Sequence, residues 1–302
     1  MKFALIGHPV SHSLSPVIHH AAYRELGVSH EYGLLDAANE TEFARALEQL
    51  RSGELAGANV TIPWKRQAFA SADAKSALAE RLGVCNVLAP RALGSVPHDP
   101  RGRQLVGHNT DALALEVEFR VRAQGARALL IGSGGAVPAV VAACQAAGLS
   151  EVVVTARRFT PGTPEASWPG AAELVRLGAK LLAWPVESVA AAAAFAAGLA
   201  ETGLIVQCTS AGMQGFDSGE PLAALVPWQL LPKSALAYDL IYAPLETPFL
   251  RAAAAAGLRT AHGLHMLVGQ AQLAIELWLG QKPPAEPLVA AALGALAARG
   301  RS

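Results

Sequence analysis

The chain has 302 residues, of which 52% are hydrophobic and only 16% are charged. That length suits two domains better than one, and that composition excludes a disordered chain, because enough apolar surface exists to offset the entropy of ordering. Lysine and arginine (24) balance aspartate and glutamate (24), so no net field gathers nucleic acid or an anionic membrane, although a local anion site stays open.

Lys2–Gly7 reads as a short strand, and its apolar run is too short for the core of a signal peptide. Ser15 as N-cap and Pro16 at the first helical position predict a helix to about Leu26, ended by Gly27. Glu31–Leu35 is a second strand, and Asn39–Leu50 is a helix capped by Thr41 or Asn39. Ala56–Ile62 is a β-rich run stopped by Pro63, with helices following to about Leu82. Val84–Ala89 and Leu105–Gly107 read as arms of a hairpin, joined by a Pro/Gly-rich mobile loop from Pro90 to Arg103. Asp111 begins a helix that reaches about Gln124.

The pattern then changes. Ala126–Ile131 is a strand, Gly132–Gly135 a glycine turn, Ala136–Ala147 a helix and Glu151–Thr155 a strand, which together make a βαβ unit. Leu129–Leu149 carries no charge, but its glycines and Pro138 suit a strand, a turn and a buried helix rather than a membrane span. Leu181–Trp184, Leu204–Gln207 and Ala235–Asp239 are further strands between alanine-rich helical stretches, the alternation of a doubly wound parallel sheet. Leu264–Leu279 is an apolar helix carrying Gln270, and Leu288–Ala298 is a final helix. Cys85, Cys144 and Cys208 stand alone without CxxC spacing, which predicts a reducing compartment and hence a cytoplasmic protein.

The turn GSGGA (Gly132–Ala136) sits where glycines let a backbone approach a pyrophosphate at a helix N-terminus. Val137 occupies the third glycine position of that pattern. After the second strand come Arg157 and Arg158, with no acidic residue to hold a ribose 2′-hydroxyl. Two arginines there suit the 2′-phosphate of NADP, the alternative being a solvated basic loop. Three polar clusters are harder to explain by packing: HSLSP (His12–Pro16), NVTIPWK (Asn59–Lys65) and GHNTD (Gly107–Asp111). Each has an ordinary reading as serine caps, a surface lysine or an N-cap aspartate. The histidine pairs His8/His12, His19/His20 and His262/His265 gather no third ligand, so no metal site is expected.

Taken in order, IGHPVSHSLSP, GANVTIPWK, NVL after Cys85, GHNTDALA, GSGGA, CTSAGM, YDLIYAPLETP and GLHMLVGQA resemble the motifs of the shikimate dehydrogenase family, from Ile6 to Gly280. The resemblance implies an α/β protein of two domains. An N-terminal α/β substrate domain (1–111 and 263–302) would be joined to a Rossmann-type doubly wound dinucleotide-binding domain (112–262). It implies reversible NADP-linked reduction of 3-dehydroshikimate to shikimate, with Lys65 and Asp111 as the catalytic pair. Ser13, Ser15, Thr61, Lys65, Asn86, Asp111, Tyr242 and Gln270 would hold the substrate. Gly132, Ser133, Gly134, Gly135, Ala136, Arg157, Arg158, Thr209, Met213 and Gly263 would hold the cofactor. A small-molecule substrate, no nucleic acid, no membrane, and a monomer or homodimer complete the expectation. Alternatives are a quinate/shikimate dehydrogenase of broader specificity and a non-catalytic ligand-sensing relative. The chain departs from the family pattern at His20, Cys85, Val87, Ala156, Arg158 and Gln207.

Overall fold

A computed structural model describes residues 1–91, 103–162, 168 and 170–299. Most of the expected mobile loop, residues 92–102, lies outside the described residues. The chain divides into two compact units, Met1–Ala114 with Leu267–Ser302, and Leu115–Met266.

The first unit begins with β1 (Lys2–Gly7), α1 (Ser15–Glu25), β2 (Glu31–Asp36), α2 (Glu40–Ser52), β3 (Gly57–Val60) and α3 (Lys65–Ser71). It continues with β4 (Ala74–Lys75), α4 (Ala77–Leu82), β5 (Val87–Arg91), β6 (Gln104–His108) and the start of α5 (Asp111–Arg122). Its sheet has the order β2-β1-β3-β5-β6-β4. β1 is parallel to both β2 and β3, which is why five of its six residues are buried in one apolar run. β5 and β6 form the expected antiparallel hairpin. The two-residue strand β4, parallel to β6, interrupts the helical stretch expected to run to Leu82.

Helix starts depart from the sequence reading in one instructive place. The N-cap of α1 is Leu14, with no side-chain cap, so Ser15 is the first helical residue rather than the cap. The Ser13 hydroxyl accepts the Ser15 N–H at 3.1 Å instead. At α2 the cap is Asn39, which accepts the Glu42 N–H at 3.1 Å, and not Thr41. The Glu42 carboxylate reaches back to the Ala38 N–H at 2.7 Å, so the two side chains satisfy two backbone donors of the opening turn.

The second unit runs through the rest of α5, then β7 (Arg127–Ile131), α6 (Val137–Ala146), β8 (Glu151–Thr155), α7 (Ala171–Arg176), β9 (Lys180–Leu182) and α8 (Val189–Ala197). β10 (Thr202–Gln207), α9 (Glu220–Leu225), β11 (Leu236–Asp239), α10 (Pro248–Ala255) and β12 (Arg259–His262) follow. All six strands are parallel, in the order β12-β11-β10-β7-β8-β9. Counted from β7, that is 6-5-4-1-2-3, the doubly wound Rossmann order with its switch point between β7 and β10. The sixth strand, β12, was not expected, since Arg259 and Thr260 are exposed and the run is short.

The chain ends in α11 (Leu264–Leu279) and α12 (Ala285–Arg299). α12 packs on α1, and the Arg299 guanidinium donates to the backbone carbonyls of His12 at 2.8 Å and Ser13 at 3.4 Å. Among the described residues no helix is long and apolar enough to cross a membrane.

Candidate active site

Pro63 stops β3, and the chain turns with the Trp64 N–H on the Thr61 carbonyl at 2.9 Å. Trp64 anchors that turn. Its buried ring stacks on Phe43 with centroids 4.9 Å apart, and its indole N–H donates to the Ala37 carbonyl at 2.7 Å. Lys65 therefore opens α3 from a fixed backbone, further tied by the Cys85 N–H to its carbonyl at 3.0 Å.

The Lys65 ammonium reaches Asp111 Oδ2 at 2.5 Å, with only 15% and 7% of the two side chains exposed. Asp111 is not a solvated helix cap. The capping contact belongs to Asn109, whose Oδ1 accepts the Ala112 N–H at 3.1 Å. Asn86 Nδ2 donates to Asp111 Oδ1 at 2.7 Å and to Thr110 Oγ1 at 2.9 Å, while its Oδ1 accepts the Thr110 N–H at 2.7 Å. Both carboxylate oxygens of Asp111 are thus engaged. An ammonium pinned in this way can stabilise negative charge developing beside it and can give up a proton.

A second polar group lies in the same unit. The Ser13 hydroxyl donates to Ser15 Oγ at 3.1 Å. Tyr32, on β2, donates its phenol proton to Asn59 Oδ1 at 2.7 Å, and Asn59 Nδ2 donates to Gln270 Oε1 at 3.3 Å. Gln270 Nε2 donates to the Leu267 carbonyl at 2.9 Å. Burial raises the Tyr32 phenol well above its ordinary value, with the Ser15 hydroxyl hydrogen bonded to it. His19 stacks on the Tyr32 ring at 3.8 Å, and burial, with help from His20, drives its pKa down to about 3. Thr61, half-buried, follows β3 directly, and its N–H is bound to the Ile6 carbonyl at 2.9 Å.

Of the residues expected to hold a substrate, the structure joins Lys65, Asp111 and Asn86 in one network, and Ser13, Ser15 and Gln270 along another. Tyr242 lies in the loop after β11, in the second unit. Tyr32 was not expected, and Asn59 and His19 were noted only as the first residue of the cluster NVTIPWK and as half of a histidine pair, without a role in the site. The one signal that could have found Asn59 is an amide within the otherwise apolar strand GANV; Tyr32 looks like any strand tyrosine.

In the second unit the glycine turn leaves β7 with the Gly132 N–H on the Thr155 carbonyl at 2.8 Å. Gly132 has φ +128°, and a Cβ there would lie 3.0 Å from the Cys208 backbone, so only glycine closes this turn unstrained. Gly134 and Gly135 are exposed, and a Cβ on Gly135 would meet nothing within 4 Å. α6 starts at Val137, one residue later than expected, and no side chain caps its first turn. Val137 is fully buried, so the residue in place of the third glycine packs the helix onto the sheet.

Arg157 and Arg158 are exposed beyond the end of β8, and the Arg158 guanidinium lies 4.9 Å over the Trp168 ring. The Thr209 hydroxyl accepts the Ala211 N–H at 3.1 Å, and its own N–H binds Gln207 Oε1. Met213 is half-buried, with its N–H on the Ser210 carbonyl at 3.0 Å. Gly263 is packed so tightly on Leu240 that a Cβ would sit 2.1 Å from its carbonyl oxygen. Ser133 and Ala136 complete the turn, both half-buried. Among the described residues no group of three histidine, cysteine or acidic side chains could hold a metal ion.

The chain as a whole is similar to proteins of one family. A family profile described as the shikimate dehydrogenase substrate binding domain matches residues 5–88, and one described as the shikimate 5′-dehydrogenase C-terminal domain matches residues 263–293. Shikimate dehydrogenase (NADP(+)) of Symbiobacterium thermophilum is 36% identical over 310 residues, covering 97% of this chain and 93% of that protein. The protein of the same name from Brucella abortus is 34% identical over 286 residues, covering 93% and 90%. Among solved structures, shikimate 5-dehydrogenase of Thermus thermophilus in complex with NADP(H) and shikimate superposes with a TM-score of 0.76 at 32% identity, covering 98% of this chain and 99% of that one.

Proposed function

The chain belongs to the shikimate dehydrogenase family, and on that premise we propose that it catalyses the reversible NADP-linked reduction of 3-dehydroshikimate to shikimate. The observation that carries the reading is the Lys65–Asp111 pair, short, nearly buried and braced by Asn86.

Lys65 is the proton donor. As the substrate carbonyl gains a hydride at carbon, its oxygen becomes an alkoxide, and the Lys65 ammonium stabilises that charge and transfers a proton to it. In the reverse direction the neutral amine accepts the hydroxyl proton. Asp111 holds the ammonium in place and offers an oxygen to a neighbouring substrate hydroxyl. Ser13, Ser15, Thr61, Asn86 and Tyr242 supply uncharged polar contacts to the carboxylate and hydroxyls, while Gln270 bridges hydroxyls as both donor and acceptor. A pocket of this kind rejects analogues lacking a hydroxyl, because its own groups are then left unpaired.

The second unit fits a dinucleotide. The uncapped first turn of α6 and the open backbone at Gly134 and Gly135 suit a pyrophosphate, with Gly132, Ser133 and Ala136 shaping the turn. Arg157 and Arg158 suit a 2′-phosphate, and Thr209, Met213 and Gly263 belong to the nicotinamide end. When bound, the cofactor supplies or receives the hydride. On this reading the unit Met1–Ala114 with Leu267–Ser302 serves the substrate and Leu115–Met266 the cofactor. The balanced charge supports a protein without nucleic-acid or membrane partners, the three isolated cysteines support a cytoplasmic one, and a monomer or homodimer is the expected state.

The test is initial rates with shikimate or quinate against NADP or NAD. Shikimate with NADP should give the highest kcat/KM. No oxidation of shikimate with either nucleotide would overturn the reading, and equal use of NAD would overturn its cofactor part.

A further inference from the structure

Each contact in the buried chain that ends at Gln270 pairs one donor with one acceptor, and the sequence of contacts admits one arrangement. The Leu267 carbonyl can only accept, so it takes a proton of Gln270 Nε2. That turns Gln270 Oε1 toward Asn59, which must then present Nδ2. Asn59 Oδ1 in turn faces Tyr32, which must donate. Asn59 is 3% exposed and Gln270 6%, so water does not compete freely for these groups. The Tyr32 ring is held by the parallel ring of His19, 14° from coplanar, and His19 is fully buried. After these contacts Gln270 keeps one Nε2 proton and one Oε1 lone pair.

We propose that Tyr32 and Asn59 are positioning residues for the substrate: through their two hydrogen bonds they lock the Gln270 amide so that its remaining donor and acceptor point in fixed directions. This rests on the reading of Gln270 as a substrate-binding group. Without the Tyr32 proton, Asn59 Oδ1 loses the phenol that fixes its orientation, Asn59 rotates toward other partners, and Gln270 loses its fixed partner. A substrate hydroxyl then meets an amide that has to be reordered at each binding event, a cost that falls on binding rather than on the Lys65 proton transfer.

Tyr32→Phe tests this, because it removes one oxygen and keeps the ring on His19. The wild type is assayed first for NADP-linked oxidation of shikimate. Tyr32→Phe should then raise KM for shikimate by roughly three- to tenfold, the scale of one buried hydrogen bond, with kcat nearly unchanged. KM for NADP should stay as in wild type. In a Gln270→Ala background most of that rise should vanish, the remainder being the Ser15 hydroxyl's loss of the same phenol. Asn59→Ala, assayed below its melting temperature, should show the same dependence on Gln270. Unchanged KM in Tyr32→Phe, or an equal rise in the Gln270→Ala background, would overturn the relay. An inactive wild type would overturn the catalytic reading and the relay with it, whereas an active wild type with a silent Tyr32→Phe overturns the relay alone.

Discussion

Replacing Lys65 by alanine separates chemistry from architecture. The ammonium is 2.5 Å from an Asp111 oxygen, and the carboxylate side chain is 7% exposed. Removing one member of a fully buried pair typically costs about 3–5 kcal/mol, because a charge is stranded. Here the cost should be smaller, about 1–3 kcal/mol, since Asp111 retains Asn86 as a donor and the Lys65 side is 15% open to water that can take its place. At about 2–4 °C per kcal/mol for a unit of this size, the melting temperature should fall by a few degrees to roughly 10 °C, leaving a folded protein at 25 °C. The loss in turnover should be far larger. A positioned acid–base group contributes on the order of 10²–10⁴-fold, and if Lys65 acts mainly on charge that develops in the transition state, kcat falls while KM for shikimate moves little. Steady-state kinetics read beside a thermal melt decide the matter. A folded Lys65→Ala with turnover within a few fold of wild type would refute the assignment and leave the pair as a structural salt bridge.

Three other perturbations have defined outcomes. Arg157→Ala should raise KM for NADP at least tenfold and leave weak NAD use almost unaltered, since a charge-assisted phosphate contact is lost; equal changes with both nucleotides would contradict this. Gly132→Ala should lower the melting temperature and weaken NADP binding, because φ +128° and a Cβ 3.0 Å from the Cys208 backbone both oppose it; calorimetry with a wild-type transition would count against the turn as described. Asp239 is fully buried, accepts the Thr247 hydroxyl at 2.6 Å and the Ile241 N–H at 2.9 Å, and burial raises its pKa to about 7 from 3.8. Between those values the native state holds a proton that the unfolded state has lost, so this group's contribution falls as pH rises from about 4 to 7 and levels off above. Relative to wild type, Asp239→Asn should therefore gain stability across that window, by at most about 1.4 kcal/mol per pH unit. Denaturant unfolding at several pH values would show a flat difference if the carboxyl were ionised throughout.

Five of the six strands of the second unit were legible as short runs rich in apolar residues, as at Glu151–Thr155, and α11 was legible because the twelve residues from Leu264 to Ile275 include no aspartate, glutamate, lysine or arginine. β4 and β12 were not, since two and four half-exposed residues carry no periodicity to read. The start of α1 misled for a local reason: a serine before a proline reads as a cap, but Ser13, two residues earlier, takes that N–H. In the site, Lys65, Asp111 and the glycine turn stood out as polar or glycine-rich breaks in apolar stretches. Tyr32 did not, because a tyrosine alternating with apolar residues in a strand is indistinguishable from core until its hydroxyl is seen on Asn59.

The order in which the chain is synthesised has a consequence for when activity can begin. Leu115–Met266 is contiguous and holds all six of its parallel strands before the last helices are made. The other unit waits: α12 must emerge before it can pack on α1, and the carbonyls of His12 and Ser13 have no guanidinium until Arg299 is translated. Nascent domains fold as units as they leave the ribosome, so the contiguous unit can complete its sheet first and the serine loop is fastened last. A message truncated before α11 would still encode all six strands of that parallel sheet but lack Gln270 and Arg299.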